Sequence, residues 1–368
     1  ASGGRGAVFD PANENHLSAL HTEIANGYVT ERAHPDKGSL RIYNYTKKAQ
    51  YEGRWNDVTR QCRGLIVDWT AGGVVLARPF EKFFNIQEHK EQFDPRTLVE
   101  ATDKMDGSLG ILYPHPLGGY AIASRGSFTS EQAERGSEIL QGYLAKGFHP
   151  DSEYTYLFEI IYPENRIVVN YGETEDLVLL DRYATDPTPS SPMPPDGSDR
   201  LPRPRKLLLE LGNALDLPSR PNAEGWVLTF RDGPRKGLKV KIKQEDYVRL
   251  HRIVTGLNER VIWKHLSEGK DLEELLAELP EEFHEWVQGV AGFLLAEHEG
   301  RINEAWAAFC DISLQFPDEV PFHPSRLQRS RFAQLAAGHP PHLRSSLFLI
   351  LDGRWPELSD AAWRQLRL

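Results

Sequence analysis

Between about residue 40 and residue 245, apolar and polar residues alternate in short runs. The clearest are Gly64-Leu65-Ile66-Val67-Asp68, Tyr154 to Ile161, Arg166 to Tyr171, Leu177 to Asp181 and Gly225 to Phe230. A period of two puts successive side chains on opposite faces of a strand, so each run predicts a strand with one buried face. Two stretches break the alternation with helical spacing, Asn13 to Asn26 and Ser130 to Leu144, and Ser130 is placed to cap the second. Many short strands and few helices predict an α+β domain built on antiparallel sheet.

After about residue 250 the period changes. Phe283, Trp286, Val287, Val290, Leu294, Ile302, Ala305, Trp306, Phe309 and Phe316 largely follow i, i+3, i+4 spacing. The polar gap between Leu294 and Ile302 predicts a bend or a thinning of that stripe. Further helices are expected at Ser325 to Ala337, His342 to Leu351 and Ser359 to Leu366. The pattern thus divides the chain into residues 1–250, sheet-based, and 251–368, all helical. The Pro/Ser-rich stretch at about 185–205 is expected to form a mobile surface loop.

Composition changes this picture little. Of 368 residues, 40% are hydrophobic and 26% charged, as in ordinary globular proteins. No apolar run approaches the roughly 20 residues of a membrane span, and the N-terminus carries no signal-peptide core. The two cysteines, Cys62 and Cys310, build no disulfide framework, which fits a reduced, cytoplasmic setting; a monomer is expected. Net charge is −10, so the global balance does not point to nucleic acid. The deficit is uneven: residues 251–368 hold 12 basic against 18 acidic residues, and the rest is nearly balanced, leaving room for a local basic groove.

Candidate chemistry begins at Lys104-Met105-Asp106-Gly107-Ser108. A lysine attacks phosphorus only as the free amine, against a reference pKa of about 10.4, so such a nucleophile needs cations beside it. The pentapeptide alone is commonplace. Glu159 interrupts the apolar run Leu157 to Ile161, and Glu224 stands at the mouth of Gly225-Trp226-Val227-Leu228. Carboxylates so placed suit Mg²⁺ or Mn²⁺, directly or through water. Lys239, Lys241 and Lys243 alternate with Leu238, Val240 and Ile242, which puts three ammonium groups on one strand face; a lysine-protected edge strand would read the same way. Arg63-Gly64 and Glu81-Lys82-Phe83-Phe84-Asn85 each set a cation beside an apolar run, with Phe83 or Phe84 available to stack on a purine. Arg125 sits in a Gly/Ser turn, where it could meet phosphate.

In this order the elements resemble the T-even phage RNA ligase 1 branch of the covalent nucleotidyltransferases, which includes the sealing domain of fungal tRNA ligase. The resemblance runs from Arg41-Ile42-Tyr43-Asn44-Tyr45 to Lys241-Ile242-Lys243-Gln244-Glu245-Asp246-Tyr247, through Cys62-Arg63-Gly64, Glu81 to Asn85, the lysine pentapeptide, Ser130-Glu131-Gln132-Ala133 and Pro163 to Val168. It implies a nucleotidyltransferase domain that uses ATP, with Lys104 adenylylated and Lys241 and Lys243 gripping the α-phosphate. Tyr45, Arg63, Lys82 and Phe84 would support the nucleotide, Asp106 and Gly107 would position the lysine and the ribose, and Glu159 and Glu224 would engage ribose or metal. The implied activity joins 3′-hydroxyl and 5′-phosphate RNA ends by way of lysyl-AMP and 5′-adenylylated RNA, in RNA repair, with cleaved tRNA among the acceptors.

Two departures stand out. Arg125 occupies a position where lysine is usual. The segment between Phe230 and Lys239 is longer than the branch suggests, and with Arg235 and Lys236 it is a candidate RNA contact. Two rival readings share the scaffold. A DNA ligase or capping enzyme would normally append an OB-fold, where helices are expected here. A non-catalytic nucleotide- or RNA-binding relative would lack turnover. The helical region carries no motif of the branch, and RNA selection is the role expected of it.

Overall fold

The computed structural model describes residues 7–187, 192–279, 283–315 and 326–366. The chain divides into two compact units, one ending at Thr255 and the other starting at Gly256.

The first unit carries three sheets. One orders β1 (Val29–His34), β2 (Lys37–Tyr45), β3 (Arg63–Asp68) and β4 (Val74–Ala77), all antiparallel. Both of its faces pack against other elements, with successive side chains pointing to opposite sides. Tyr43, Leu65 and Val67 pack with Leu20 and Val58 from α1 (Glu14–Ala25) and α3 (Asp57–Gln61), while α2 (Lys47–Glu52) follows β2. Leu40, Ile42 and Ile66 point the other way, onto Ile111, Tyr113 and Leu157 of the second sheet.

That second sheet is ordered β10 (Asp176–Ala184), β9 (Tyr154–Ile161), β7 (Ser108–Pro114), β8 (Tyr120–Ala123). Tyr156, Phe158 and Ile160 of β9 share a core with Leu140 of α4 (Glu131–Ala145), so Leu157 and Glu159 face the opposite side. Ser130 caps α4 by accepting from the Ala133 amide, as expected.

The third sheet is ordered β11 (Lys206–Glu210), β6 (Leu98–Asp103), β12 (Gly225–Phe230), β13 (Lys239–Lys243), β5 (Phe84–Asn85). Its β13–β5 pair is parallel and the others antiparallel. Val240, Leu228, Val99 and Ala101 bury one face with α5 (Leu211–Leu215), leaving the three β13 lysines on the other. The unit closes with α6 (Glu245–Val254).

Three expectations need revision. Arg166 to Tyr171 bends at residues 167–169 and joins no sheet, because the amides of Val168 and Val169 donate to the Asp106 carboxylate instead of to a strand. Of the Pro-rich stretch, residues 188–191 lie outside the described residues, and the part from 192 is tied down. Asp196 is buried, accepts from the Tyr156 hydroxyl (2.7 Å) and the Arg182 guanidinium (2.6 Å), and its carbonyl takes the His149 amide. Leu201 enters the core. Prolines remove backbone donors but leave side chains and carbonyls free to bond.

The second unit is helical: α7 (Glu259–Ser267), α8 (Leu272–Glu278), α9 (His284–Ser313), α10 (Arg326–Ala336), α11 (Pro341–Leu351) and α12 (Trp355–Gln365). Ser325, where α10 was expected to begin, lies outside the described residues. The polar gap predicted to bend the long helix or thin its apolar stripe does not interrupt it, and α9 runs for 30 residues. Within the gap, His298 stacks on Trp363 (centroids 4.2 Å apart) and its Nε2 meets Ser359, so a polar ring fills the stripe where an apolar side chain is missing. Among the described residues, no helix is long and apolar enough to cross a membrane.

Candidate active site

Lys104 begins the connection from β6 to β7, and its amide donates to the Gly225 carbonyl (3.0 Å). That bond fixes the lysine beside the residue preceding β12, and the Lys104 ammonium reaches the Glu224 carboxylate at 2.5 Å. Register brings in the third member: Gly225 lies opposite Lys243, whose Nζ is 3.5 Å from the same Glu224 oxygen. Gly225 has φ +153°, and a Cβ there would sit 1.9 Å from the Ile242 carbonyl oxygen, so only glycine permits this approach. Burial drives the Lys243 amine down to about 7, helped by the charges of Lys104 and Lys241 and opposed by Glu224. The sequence spaced these groups over 140 residues; two strand pairings collect them around one carboxylate.

Glu159 faces the same region from β9. Its carboxylate accepts the Gly107 amide (2.9 Å). Burial, reinforced by the negative charge of Glu224, pushes it up to about 7 against the pull of Lys104, Gly107 and Arg63. A Cβ on Gly107 would stand 2.5 Å from the Ile160 carbonyl oxygen, which explains glycine at this point of the pentapeptide. Asp106 anchors the lysine loop. Its carboxylate is buried and accepts from the amides of Val168 (2.8 Å) and Val169 (2.7 Å) and from the Tyr247 hydroxyl (2.8 Å), and its own amide donates to the Tyr171 hydroxyl. With its oxygens so engaged it acts as a clamp joining the lysine loop to segment 168–171 and α6. A cleft of about 340 Å³ opens beside the loop, lined by Gly107, Ile161, Asn165, Val169 and Tyr171 among others.

A second group of cations surrounds Tyr45, at the end of β2. Burial raises its phenol, but Arg125, Lys82, Arg63 and Lys241 together outweigh that and bring it down to about 8. Arg125 donates to the Tyr45 oxygen at 3.1 Å and holds its guanidinium 5.0 Å from the ring centroid. Burial lowers Arg63 below its ordinary value. A phenol pulled down by four cations reports a strongly positive local field, the environment a polyphosphate seeks. Phe83 and Phe84, the purine-stacking candidates, both meet cations: Arg63 lies over Phe83 (5.6 Å) and Lys82 over Phe84 (5.4 Å). Trp55, which the sequence did not single out, packs against Phe84 and Tyr45.

Arg235 forms an ion pair with Glu91, and Arg231 another with Glu100 at 2.5 Å, so the charge of the long β12–β13 connection is partly answered within the chain; Lys236 is exposed. Elsewhere among the described residues, His34, Asp36 and His115 gather at two hairpin turns, the Asp36 oxygen lying 4.0 and 3.7 Å from the two rings. The Nδ1 lone pairs of both histidines accept backbone amides, from Asp36 and Leu117 (3.1 Å each), and His34 Nε2 meets the Tyr113 hydroxyl. These bonds lock the turns, and a metal would have to displace one of the two that His34 makes.

Parts of this chain are similar to known proteins. The RNA ligase family model matches residues 61–192, which include Arg63, Lys82, Lys104, Arg125 and Glu159. A Thermovibrio ammonificans protein named as a provisional RNA ligase is 31% identical, over 54% of this chain and 55% of that one. An RNA ligase of Rhodothermus phage RM378 is 24% identical, over 60% of this chain and 66% of its own. The chain thus spans between half and two thirds of the length of these relatives. Two solved forms of an archaeal ATP-dependent RNA ligase align at 14% identity, over 75% of both chains for one form and 87% of this chain and 86% of that one for the other. Their TM-scores, 0.39 and 0.40, are too low to decide a shared fold. Residues 61–192 thus resemble the RNA ligase family, and both relatives are named as RNA ligases.

Proposed function

We propose that the chain is an ATP-dependent RNA ligase joining 3′-hydroxyl and 5′-phosphate RNA ends through a lysyl-AMP at Lys104. The observation that carries this reading is the Lys104 ammonium held on Glu224 (2.5 Å) with Lys243, its amine lowered to about 7, on the same oxygen. Glu224 is placed to take the proton of Lys104. The freed amine then attacks the α-phosphorus, a P–N bond forms, and the bond to pyrophosphate breaks. Lys241 and Lys243 share one face of β13 and would meet the charge that builds on the α-phosphate. Tyr45, Arg63, Lys82 and Arg125 would receive the rest of the triphosphate.

Glu159 and Glu224 fit a divalent cation: they are carboxylates near enough that the charge of one raises the proton affinity of the other. Mg²⁺ or Mn²⁺ held there would supply positive charge to the phosphates. AMP would pass from Lys104 to the RNA 5′-phosphate, and a 3′-hydroxyl would then displace it to seal the strand. Cleaved tRNA is among the acceptors proposed, in an RNA-repair role, with the helical unit selecting the RNA.

The test is a sealing assay on 5′-phosphate, 3′-hydroxyl RNA, run beside nicked DNA and a nicked anticodon stem-loop, with ATP or GTP. Sealed RNA with ATP is expected. Sealing of DNA alone, or labelling by GTP alone, would contradict the proposal.

A further inference from the structure

The Lys82 ammonium lies within reach of three ring faces: Trp55 (5.2 Å), Phe84 (5.4 Å) and Tyr45 (5.7 Å). The rings also touch one another edge to face, Trp55 with Tyr45 at 5.0 Å and 88°, and Trp55 with Phe84 at 5.8 Å and 73°. They come from three elements. Tyr45 ends β2, Trp55 lies in the turn between α2 and α3 with its amide on the Gly53 carbonyl, and Phe84 is in β5. Lys82 itself is 7% exposed, and its amide donates to the Arg60 carbonyl (2.8 Å).

The electrostatic setting says why such an arrangement is useful. Arg63, Lys82, Arg125 and Lys241 all act on the Tyr45 phenol, so four like charges gather around one ring. Repulsion would drive the flexible lysine out toward water. Ring faces attract an ammonium through their quadrupoles, and this attraction holds it without neutralising it. We infer that Tyr45, Trp55 and Phe84 form an aromatic cage that aims Lys82 at the phosphates of ATP, and that Trp55, the central ring, is a positioning residue for the adenylylation step. The inference rests on the ATP-dependent reading above and adds to it a residue that touches no substrate atom.

The triphosphate is present only during the step in which Lys104 takes AMP from ATP, whereas sealing of pre-adenylylated RNA involves none. A cage serving the triphosphate therefore affects one step and spares the other; a merely structural tryptophan affects both. In Trp55→Met, which keeps apolar volume without a ring face, the ATP concentration for half-maximal lysyl-AMP formation should rise roughly tenfold. Sealing of pre-adenylylated RNA should stay within about twofold, and Trp55→Phe should recover most of the ATP response. Trp55→Leu is run in parallel as a second ring-free variant, so that the comparison does not hang on one substitution. An unchanged ATP response in the ring-free variants, or equal losses in both steps, overturns the cage. If those variants match wild type while Lys104→Ala loses all labelling, the cage alone fails; labelling that survives Lys104→Ala removes the ligase reading beneath it.

Discussion

The two units of the chain bury different things. In the sheet unit Lys82, Asp106, Glu224 and Lys241 are each less than one tenth exposed. In the helical unit, among the described residues, Ser346 is the one buried polar side chain; its core is Phe332, Leu347, Ile350 and similar groups. Burying a charge costs several kcal/mol unless partners answer it, so a fold does not collect charges inside without a reason. The helical unit keeps its ion pairs outside, as in Arg329–Asp352 and Arg354–Glu357, where water screens them and each contributes little. The difference supports the proposed placement of the chemistry in the sheet unit without reference to any motif.

Substitutions should expose this contrast, most strongly at the lysine strand. Lys241→Ala and Lys243→Ala should each slow lysyl-AMP formation by roughly 10²–10³, the usual cost of removing a preorganised charge from a reacting centre. Single-turnover labelling with ATP measures it, and a change below about threefold would break the assignment of those two side chains. Next comes the clamp. Asp106→Asn leaves one acceptor oxygen where two now take three donors, and should cost about 2–4 kcal/mol in urea unfolding.

The pH dependence sharpens the comparison further. Lys243 is lowered to about 7 in the folded chain, so below pH 7 the fold bears the full cost of its charge, and that cost fades as pH rises toward 10.5. Lys243→Met should therefore raise the melting temperature over wild type more at pH 6.5 than at pH 9.5. Glu159 behaves in the opposite sense. Its raised value means that the cost is absent below about 4.5, grows through the window to 7 and is complete above it. Glu159→Gln should gain on wild type as pH rises across that window, in metal-free buffer. If both differences stay flat, the buried-charge account of this site is wrong. The smallest effect is expected in the helical unit, where Arg329→Ala should shift stability by no more than about 0.5 kcal/mol.

Much of the sheet unit was legible because its strands alternate cleanly. Tyr154–Ile161 and Gly225–Phe230 begin and end where the pattern places them. Segment 166–171 has the same alternation and makes no strand, since its amides bond to a carboxylate some 60 residues away, which no local pattern encodes. The same holds at the site. Lys104, Glu224 and Lys243 were readable as residue types in order, and Arg125 keeps the charge of its position while also bonding to Tyr45. Trp55 and the Asp106 clamp were not readable, because a cage and a clamp are made by packing between distant elements. A tryptophan just ahead of the Asn56 cap looks like an ordinary core residue, and only the positions of Tyr45, Lys82 and Phe84 around it give it another meaning.

The central claim is that Lys104 carries the AMP. Incubating the full chain with α-labelled ATP and a divalent cation, then separating it under denaturing conditions, should show label covalently on the protein. The bond should be acid-labile and alkali-stable, as a phosphoramidate is, and Lys104→Ala and Lys104→Arg should show none while melting like wild type. Label retained by either variant, or no label on the wild-type chain, would contradict the account.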